Sequence, residues 1–394
     1  MKQLERHIDA APAAKLGILV HPSCAALGDK IDWYITKWRQ EGEHPEKEGQ
    51  YSNDYCRETY IVKSTSSRFG TGEAKALLEE SVRGMDLYII ADVLNRSLEY
   101  TICGMTNHMS PDDIYADIKR LIMAAAGKAS RLTVVMPFLY ESRQHRRNAR
   151  ESLDCAYALQ ELVKMGVDNI ITFDAHDPRI QNAIPIDGFD NIMPTYQMIK
   201  SLLRSTKDLT IDKDHLMVIS PDEGAMQRAI YFASVLGIDV GMFYKRRDFS
   251  VVENGRNPIV AHEFLGDDVK GKDVIIIDDM ISSGESVIDI AKELKSRDAN
   301  RIFCISTFGI FANGLDVFDK AYEDGLVYKV ITTNGIYQPP ELFTREWYES
   351  CDISKYIALI IDSLNHDMPI SNIINYHEKI QKKLIEYTEN NSNL

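Results

Sequence analysis

Residues 272–286 constrain this chain more than any other stretch. They read K-D-V-I-I-I-D-D-M-I-S-S-G-E-S: an apolar run, two adjacent acids and a turn of small residues. Val274, Ile275, Ile276 and Ile277 are consecutive and β-branched, the pattern of a strand buried on both faces of a parallel sheet. Asp278 and Asp279 follow at its carboxyl end, where open α/β sheets bind ligands. Val287, Ile288, Ile290, Ala291 and Leu294 then recur at helical spacing, and residues 301–307 supply another strand. The predicted unit is strand, loop, helix, strand.

The loop has a chemistry of its own. Ser282, Ser283, Gly284 and Ser286 offer hydroxyls and approachable backbone N–H groups at a helix N-terminus, which suits a phosphate. The two acids before it can accept hydrogen bonds from vicinal sugar hydroxyls or hold a hydrated divalent cation. A ribose carrying a 5-phosphate meets both demands, whereas an isolated D-D pair would read as an ordinary acidic turn. A Walker-type loop is excluded, because G-x-x-x-x-G-K-[ST] is absent.

Composition limits the alternatives. A chain of 394 residues with 44% hydrophobic content can bury the cores of two domains. The net charge of −14 argues against nucleic acid as a partner. No apolar run approaches the ~20 residues needed to span a bilayer, and the N-terminus has no secretory pattern, so a cytoplasmic protein without a membrane partner is expected. The six cysteines are scattered with no C-x-x-C pair and read as reduced thiols.

Along the chain, strands are expected at 16–20, 60–63, 87–91, 132–138, 169–173, 216–220, 240–244 and 327–332. Helices are expected at 27–39, 74–82, 112–126, 152–165, 315–323, 353–363 and 372–387. Residues 41–54 read as a polar insertion, and 92–111 as a long irregular loop or a second insertion. Prolines and an Asp-Gly turn in 178–194 mark an expected domain boundary, and 390–393 are too polar to predict as ordered.

Other candidates sit between these elements. Phe69, Gly70, Thr71, Gly72 and Glu73 form a loop. Four arginines fall within 143–150 of an acidic chain, either as a polyphosphate clamp using the fork geometry of guanidinium or as a solvated helix start. His176, between Asp174 and Asp177 at a strand end, is placed for metal ligation or substrate contact. Asp222 follows the strand at 216–220. Lys245, Arg246 and Arg247 close another strand, as a source of charge for a phosphoryl transition state or as a solvated loop.

In this order the motifs resemble those of the ribose-phosphate diphosphokinases, the phosphoribosyl diphosphate synthetases, from about Leu16 to the C-terminal helices. Phe69–Glu73 resembles the family's F-x-D-G-E loop, Arg143-Gln144 its R-Q-D, Asp174-Ala175-His176 its D-L-H, Ser220-Pro221-Asp222 its S-P-D and Lys245-Arg246-Arg247 its K-R-R. Asp278–Ser286 resembles the ribose-phosphate loop of type I phosphoribosyltransferases. The resemblance implies an α/β chain of two type I phosphoribosyltransferase-like domains, each a mostly parallel sheet flanked by helices. We expect them at 1–193 and 194–394, with the last helices able to pack back on the first.

It also implies an activity: transfer of the diphosphoryl group of ATP to O1 of ribose 5-phosphate, giving phosphoribosyl diphosphate and AMP, with Mg²⁺ and in a homo-oligomer built from dimers, usually a hexamer. On that reading Phe69, Glu73, Arg143 and Gln144 hold ATP, and His176 and Asp222 lie at the metal site. Lys245, Arg247 and His176 are catalytic. Asp278, Asp279, Ser282, Ser283, Gly284, Glu285 and Ser286 receive ribose 5-phosphate. Thr71, His145, Ser282 and Ala225 depart from the family pattern, and the first two point to relaxed nucleotide selectivity. Two alternatives remain: a catalytically weak paralogue that regulates a synthetase, and a phosphoribosyltransferase that consumes phosphoribosyl diphosphate.

Overall fold

The computed structural model describes residues 11–41, 55–147, 149–247, 259–374 and 377–391, and only the backbone of 245–247, 259–262, 372, 390 and 391. The insertion expected at 41–54 lies outside these residues from 42 onward, as do 392 and 393. The chain divides into two compact units. One comprises Met1–Met193, Gly335–Tyr337 and Asp352–Asn375; the other comprises Pro194–Asn334, Gln338–Cys351 and Tyr376–Leu394.

The first unit runs β1 (Lys15–Val20), α1 (Ala25–Glu41), β2 (Ser64–Arg68), β3 (Ala74–Leu78), β4 (Met85–Ile90), β5 (Glu99–Ile102), β6 (Met105–His108), α2 (Pro111–Ala125), β7 (Arg131–Val135), α3 (Asp154–Lys164), β8 (Asn169–Phe173) and β9 (Gly188–Ile192). Its main sheet, in the order β1-β4-β7-β8-β9, is parallel throughout. Every residue of β4, M-D-L-Y-I-I, is buried, as a central parallel strand requires. α2 starts on a capping box in which Ser110 and Asp113 bond each other's backbone N–H groups, with Pro111 in the first turn.

The second unit runs α4 (Thr195–Ser205), β10 (Leu216–Ser220), α5 (Met226–Leu236), β11 (Asp239–Arg247), β12 (Ile259–Leu265), β13 (Asp273–Ile281), α6 (Glu285–Ser296), β14 (Ile302–Gly309), α7 (Asp316–Glu323), β15 (Lys329–Thr333) and β16 (Tyr348–Cys351). Its sheet has the order β12-β11-β10-β13-β14-β15-β16, parallel except for the edge strand β12. The chain then returns to the first unit as α8 (Ser354–Asn365) and α9 (Ser371–Ile374), and ends in the second as α10 (His377–Asn391). Among the described residues no helix is long and apolar enough to cross a membrane.

Several expected elements differ. Residues 74–82 are not a helix: Ala74–Leu78 form β3, antiparallel to β2. Ala74, Ala76 and Leu78 are half-buried while Lys75 and Leu77 are exposed, so the period is two, and pairing overrides the helix propensity of Ala and Leu. Residues 60–63 make one bridge, Ile61 to Ile18, before β2 begins at Ser64. Residues 92–111 contain the hairpin β5–β6, whose Cys103 (φ 48°) and Gly104 (φ 83°) give the two consecutive left-handed residues that a tight hairpin turn needs. Within 178–194 lies β9, the edge of the first sheet. β13 continues past Ile277 to Ile281, and β11 past Tyr244 to Arg247, so both charged clusters lie inside strands.

Candidate active site

The second unit has a topological switch point. From β10 the chain crosses through α5 to β11 on one side, and from β13 through α6 to β14 on the other, while β10 and β13 are neighbours. Ligands in open α/β sheets bind in the crevice that such divergence leaves at the strands' carboxyl ends. β13 pairs with β10 only as far as Ile276 but with β14 as far as Ile281. Asp278 and Asp279 therefore lie where the ladder towards β10 has stopped.

Asp278 is partly exposed and Asp279 is buried. The N–H of Asp279 donates to Asp278 Oδ1 at 2.9 Å. Burial, and then the neighbouring Asp279 carboxylate, push the Asp278 pKa well above the usual range. Arg228 of α5 brings Nη1 to 3.9 Å from Asp278 Oδ1, a counter-charge that the linear motif does not reveal.

Across the switch point, the β10–α5 loop is tied together by Asp222. Its Oδ1 accepts from the N–H groups of Gly224 (3.0 Å) and Ala225 (3.3 Å), and its carbonyl accepts from Ser220 Oγ at 2.7 Å.

The loop between β13 and α6 rests on an aromatic floor. Gly284 has φ 91°, and a Cβ there would come within 2.4 Å of Phe318. Phe318 packs edge-on against Phe311 at 5.3 Å and stacks on Trp347 at 5.4 Å between ring centroids. Ser282 is anchored through its carbonyl, which accepts from Ala312 N–H at 2.9 Å, and Ser283 Oγ accepts from Glu285 N–H at 3.4 Å. Glu285 and Ser286 are exposed in the first turn of α6, where backbone N–H groups have no intrahelical partner. Lys245 and Arg247 lie near the end of β11, opposite His262 and Ile259 of β12.

In the first unit the structure brings two of the expected motifs together at the ends of neighbouring strands. His176 follows β8, redirected by Asp174 with φ 44°, and its N–H donates to Ser142 Oγ at 3.0 Å in the loop after β7 that carries Arg143 and Gln144. Gln144 Nε2 donates to Ser152 O at 2.7 Å, and Arg143 is exposed. His145 stands 5.3 Å from His176 between ring centroids, with Nε2 3.4 Å from Asp177 Oδ2. Asp177 is held down at about 2, first by its hydrogen bonds from Arg179, while burial lowers the His145 pKa. Phe69 and Glu73 lie on the β2–β3 turn, with Phe69 51% exposed and Thr71 Oγ1 donating to Glu73 Oε2 at 2.9 Å.

The expected metal residues are divided between the units, His176 in the first and Asp222 in the second. Among the described residues no three His, Cys, Asp or Glu side chains gather as a metal site.

Comparison with known proteins gives the ancestry. Residues 19–166 match the family model described as the N-terminal domain of ribose phosphate pyrophosphokinase, and 186–339 match the phosphoribosyl transferase domain. The curated ribose-phosphate pyrophosphokinase of Vibrio parahaemolyticus is 30% identical over 313 residues, which cover 78% of this chain and 90% of that protein. The chain belongs to the ribose-phosphate pyrophosphokinase family. The Haemophilus ducreyi member is 32% identical over 316 residues, covering 79% of this chain and 90% of its own length. The crystal structure of phosphoribosylpyrophosphate synthetase from Mycobacterium smegmatis shares the fold, with a TM-score of 0.69 over 90% of this chain and 99% of that one at 20% identity. A pyrophosphokinase of two phosphoribosyltransferase-type α/β domains, and hence a diphosphotransferase of nucleotide biosynthesis, is thus established at the level of the family.

Proposed function

We propose that this chain transfers the diphosphoryl group of ATP to O1 of ribose 5-phosphate. The observation that carries the reading is the switch point, with an adjacent carboxylate pair on one strand leading directly into a glycine-started helix N-terminus. The carboxylates of Asp278 and Asp279 accept hydrogen bonds from the ribose hydroxyls, and the loop Ser282–Ser286 receives the 5-phosphate on N–H groups and hydroxyls. The O1 hydroxyl forms a bond to the β-phosphorus as the bond from that phosphorus to the α-phosphate oxygen breaks; its proton is released to water, and AMP leaves with the electron pair. Such a reaction depends on positioning and charge neutralisation.

Each named group then has a task. Phe69 stacks on the purine, while Glu73, Arg143 and Gln144 hold the nucleotide. Lys245 and Arg247 stabilise charge on the transferred group and on AMP. The donor set suits Mg²⁺, because carboxylate oxygens are hard ligands. Asp222 would offer the metal a hard carboxylate oxygen, and His176 an imidazole nitrogen, each from its own unit. When bound, the ion neutralises phosphate oxygens. Thr71 and His145, neutral groups beside Glu73 and Asp177, relax selection among purine triphosphates. A cytoplasmic homo-oligomer built from dimers, with the hexamer as the size that the family resemblance implies, completes the reading.

The test is purified protein with Mg²⁺, ATP and ribose 5-phosphate, assayed for AMP and phosphoribosyl diphosphate, beside a Lys245→Ala variant. Turnover in the parent and a kcat lower by roughly 10²-fold in the variant, with a smaller change in KM, are expected. Absence of turnover in the parent would favour the regulatory paralogue.

A further inference from the structure

The hairpin β5–β6 has no part in the chemistry above, yet its tip touches the tip of β2–β3. The Cys103 N–H donates to Gly70 O at 2.8 Å. Ile102 lies against Gly72, where an added Cβ would sit 3.1 Å from Ile102 Cδ1.

Behind the tips, Arg68, the residue before Phe69, holds its guanidinium over the Tyr100 ring at 5.2 Å and makes two 2.8 Å hydrogen bonds to Asp117 of α2. The Tyr100 hydroxyl stands 3.3 Å from both carboxylate oxygens of Asp113, in the first turn of α2. A two-stranded ribbon alone is marginal in water, and β2–β3 is a two-stranded sheet. The position of its turn therefore depends on what it leans against.

We propose that β5–β6 is a positioning element for the nucleotide: Tyr100, Ile102 and Cys103 hold the Phe69–Glu73 turn in the geometry that receives the purine, and so set the affinity for the triphosphate. This rests on the reading of Phe69 given above. Residues held by packing and second contacts in a productive geometry lower the ordering cost of binding. The predicted signature is confined to one substrate, because the hairpin touches the nucleotide turn and belongs to the other unit from the ribose loop.

The test compares Ile102→Ala and Tyr100→Ala with the conservative Ile102→Val, and with Phe69→Ala as a reference. Both alanine variants should raise KM for ATP by about 5- to 20-fold while kcat and KM for ribose 5-phosphate stay within about twofold, and Ile102→Val should behave as the parent. An unchanged KM for ATP in both variants, or an equal rise in both KM values, would overturn the proposal. If Phe69→Ala raises KM for ATP and the hairpin variants do not, the brace fails and the Phe69 reading stands. If Phe69→Ala also leaves it unchanged, both fail. Should the parent not turn over, calorimetric Kd for ATP and for ribose 5-phosphate separates the same outcomes.

Discussion

Arg39 of α1 and Asp362 of α8, 323 residues apart in sequence, form an ion pair sealed from water. Arg39 Nη2 and Nε lie 2.8 and 3.0 Å from Asp362 Oδ1, and the side chains are 1% and 0% exposed. The guanidinium also packs against the ring of Tyr60 at 4.8 Å and donates to Asn365 Oδ1 at 2.8 Å. Arg39→Ala would leave the carboxylate buried without its principal counter-charge. It should destabilise the first unit by about 3–5 kcal/mol, read as a fall in the urea midpoint. A loss below about 1 kcal/mol would mean that other groups hold Asp362.

Stability should also depend on Asp92. It is buried, its Oδ1 accepts from Leu94 N–H and its Oδ2 from Tyr337 N–H, and burial raises its pKa from 3.8 to about 7. The folded chain thus binds this proton more tightly than the unfolded chain. The contribution is full below about pH 4 and is lost as pH rises through 7, by about 4 kcal/mol at most. Asp92→Asn should remove this slope whatever it does to absolute stability. Parallel pH profiles of unfolding free energy in the two proteins would contradict the assignment.

Asp278→Asn combined with Asp279→Asn should lower kcat/KM for ribose 5-phosphate by on the order of 10²-fold or more, through lost charge-assisted hydrogen bonds to the sugar. The fold should survive, because the change removes a like-charge contact in the part of β13 beyond its pairing with β10 instead of apolar packing. Near-parental turnover would mean that these acids do not meet the ribose.

Gly284→Ala tests the phosphate loop. A residue with a Cβ is strained at φ 91°, and here it would also meet Phe318 at 2.4 Å. The loop must shift, and KM for ribose 5-phosphate should rise about tenfold or more while KM for ATP changes little. Equal effects on both substrates would show that the floor supports the whole unit and not the loop alone.

The sequence by itself determined the elements whose information is contiguous. β13, its loop and α6 were legible because a β-branched run, two acids, small residues and a helical apolar stripe follow one another within about two dozen residues. β1, β4, β8, β10 and the helices α1, α2 and α6 were legible in the same way, as were the positions of Phe69, Arg143, His176 and Asp222 in loops, whereas Asp278 lies inside β13 and not at its end.

Other features were decided only in three dimensions. Residues 74–78 carry helix-forming Ala and Leu, and they became a strand because β2 pairs with them. The β5–β6 hairpin turns on Cys-Gly, a weaker local signal than Asn-Gly. The strands β9, β12 and β16 lie at sheet edges, where one partner suffices and the apolar pattern is thin. Arg228 beside Asp278 and Arg39 beside Asp362 come from distant segments. A sequence pattern records which face of an element is buried, but which residue covers that face depends on contacts that only the folded chain closes.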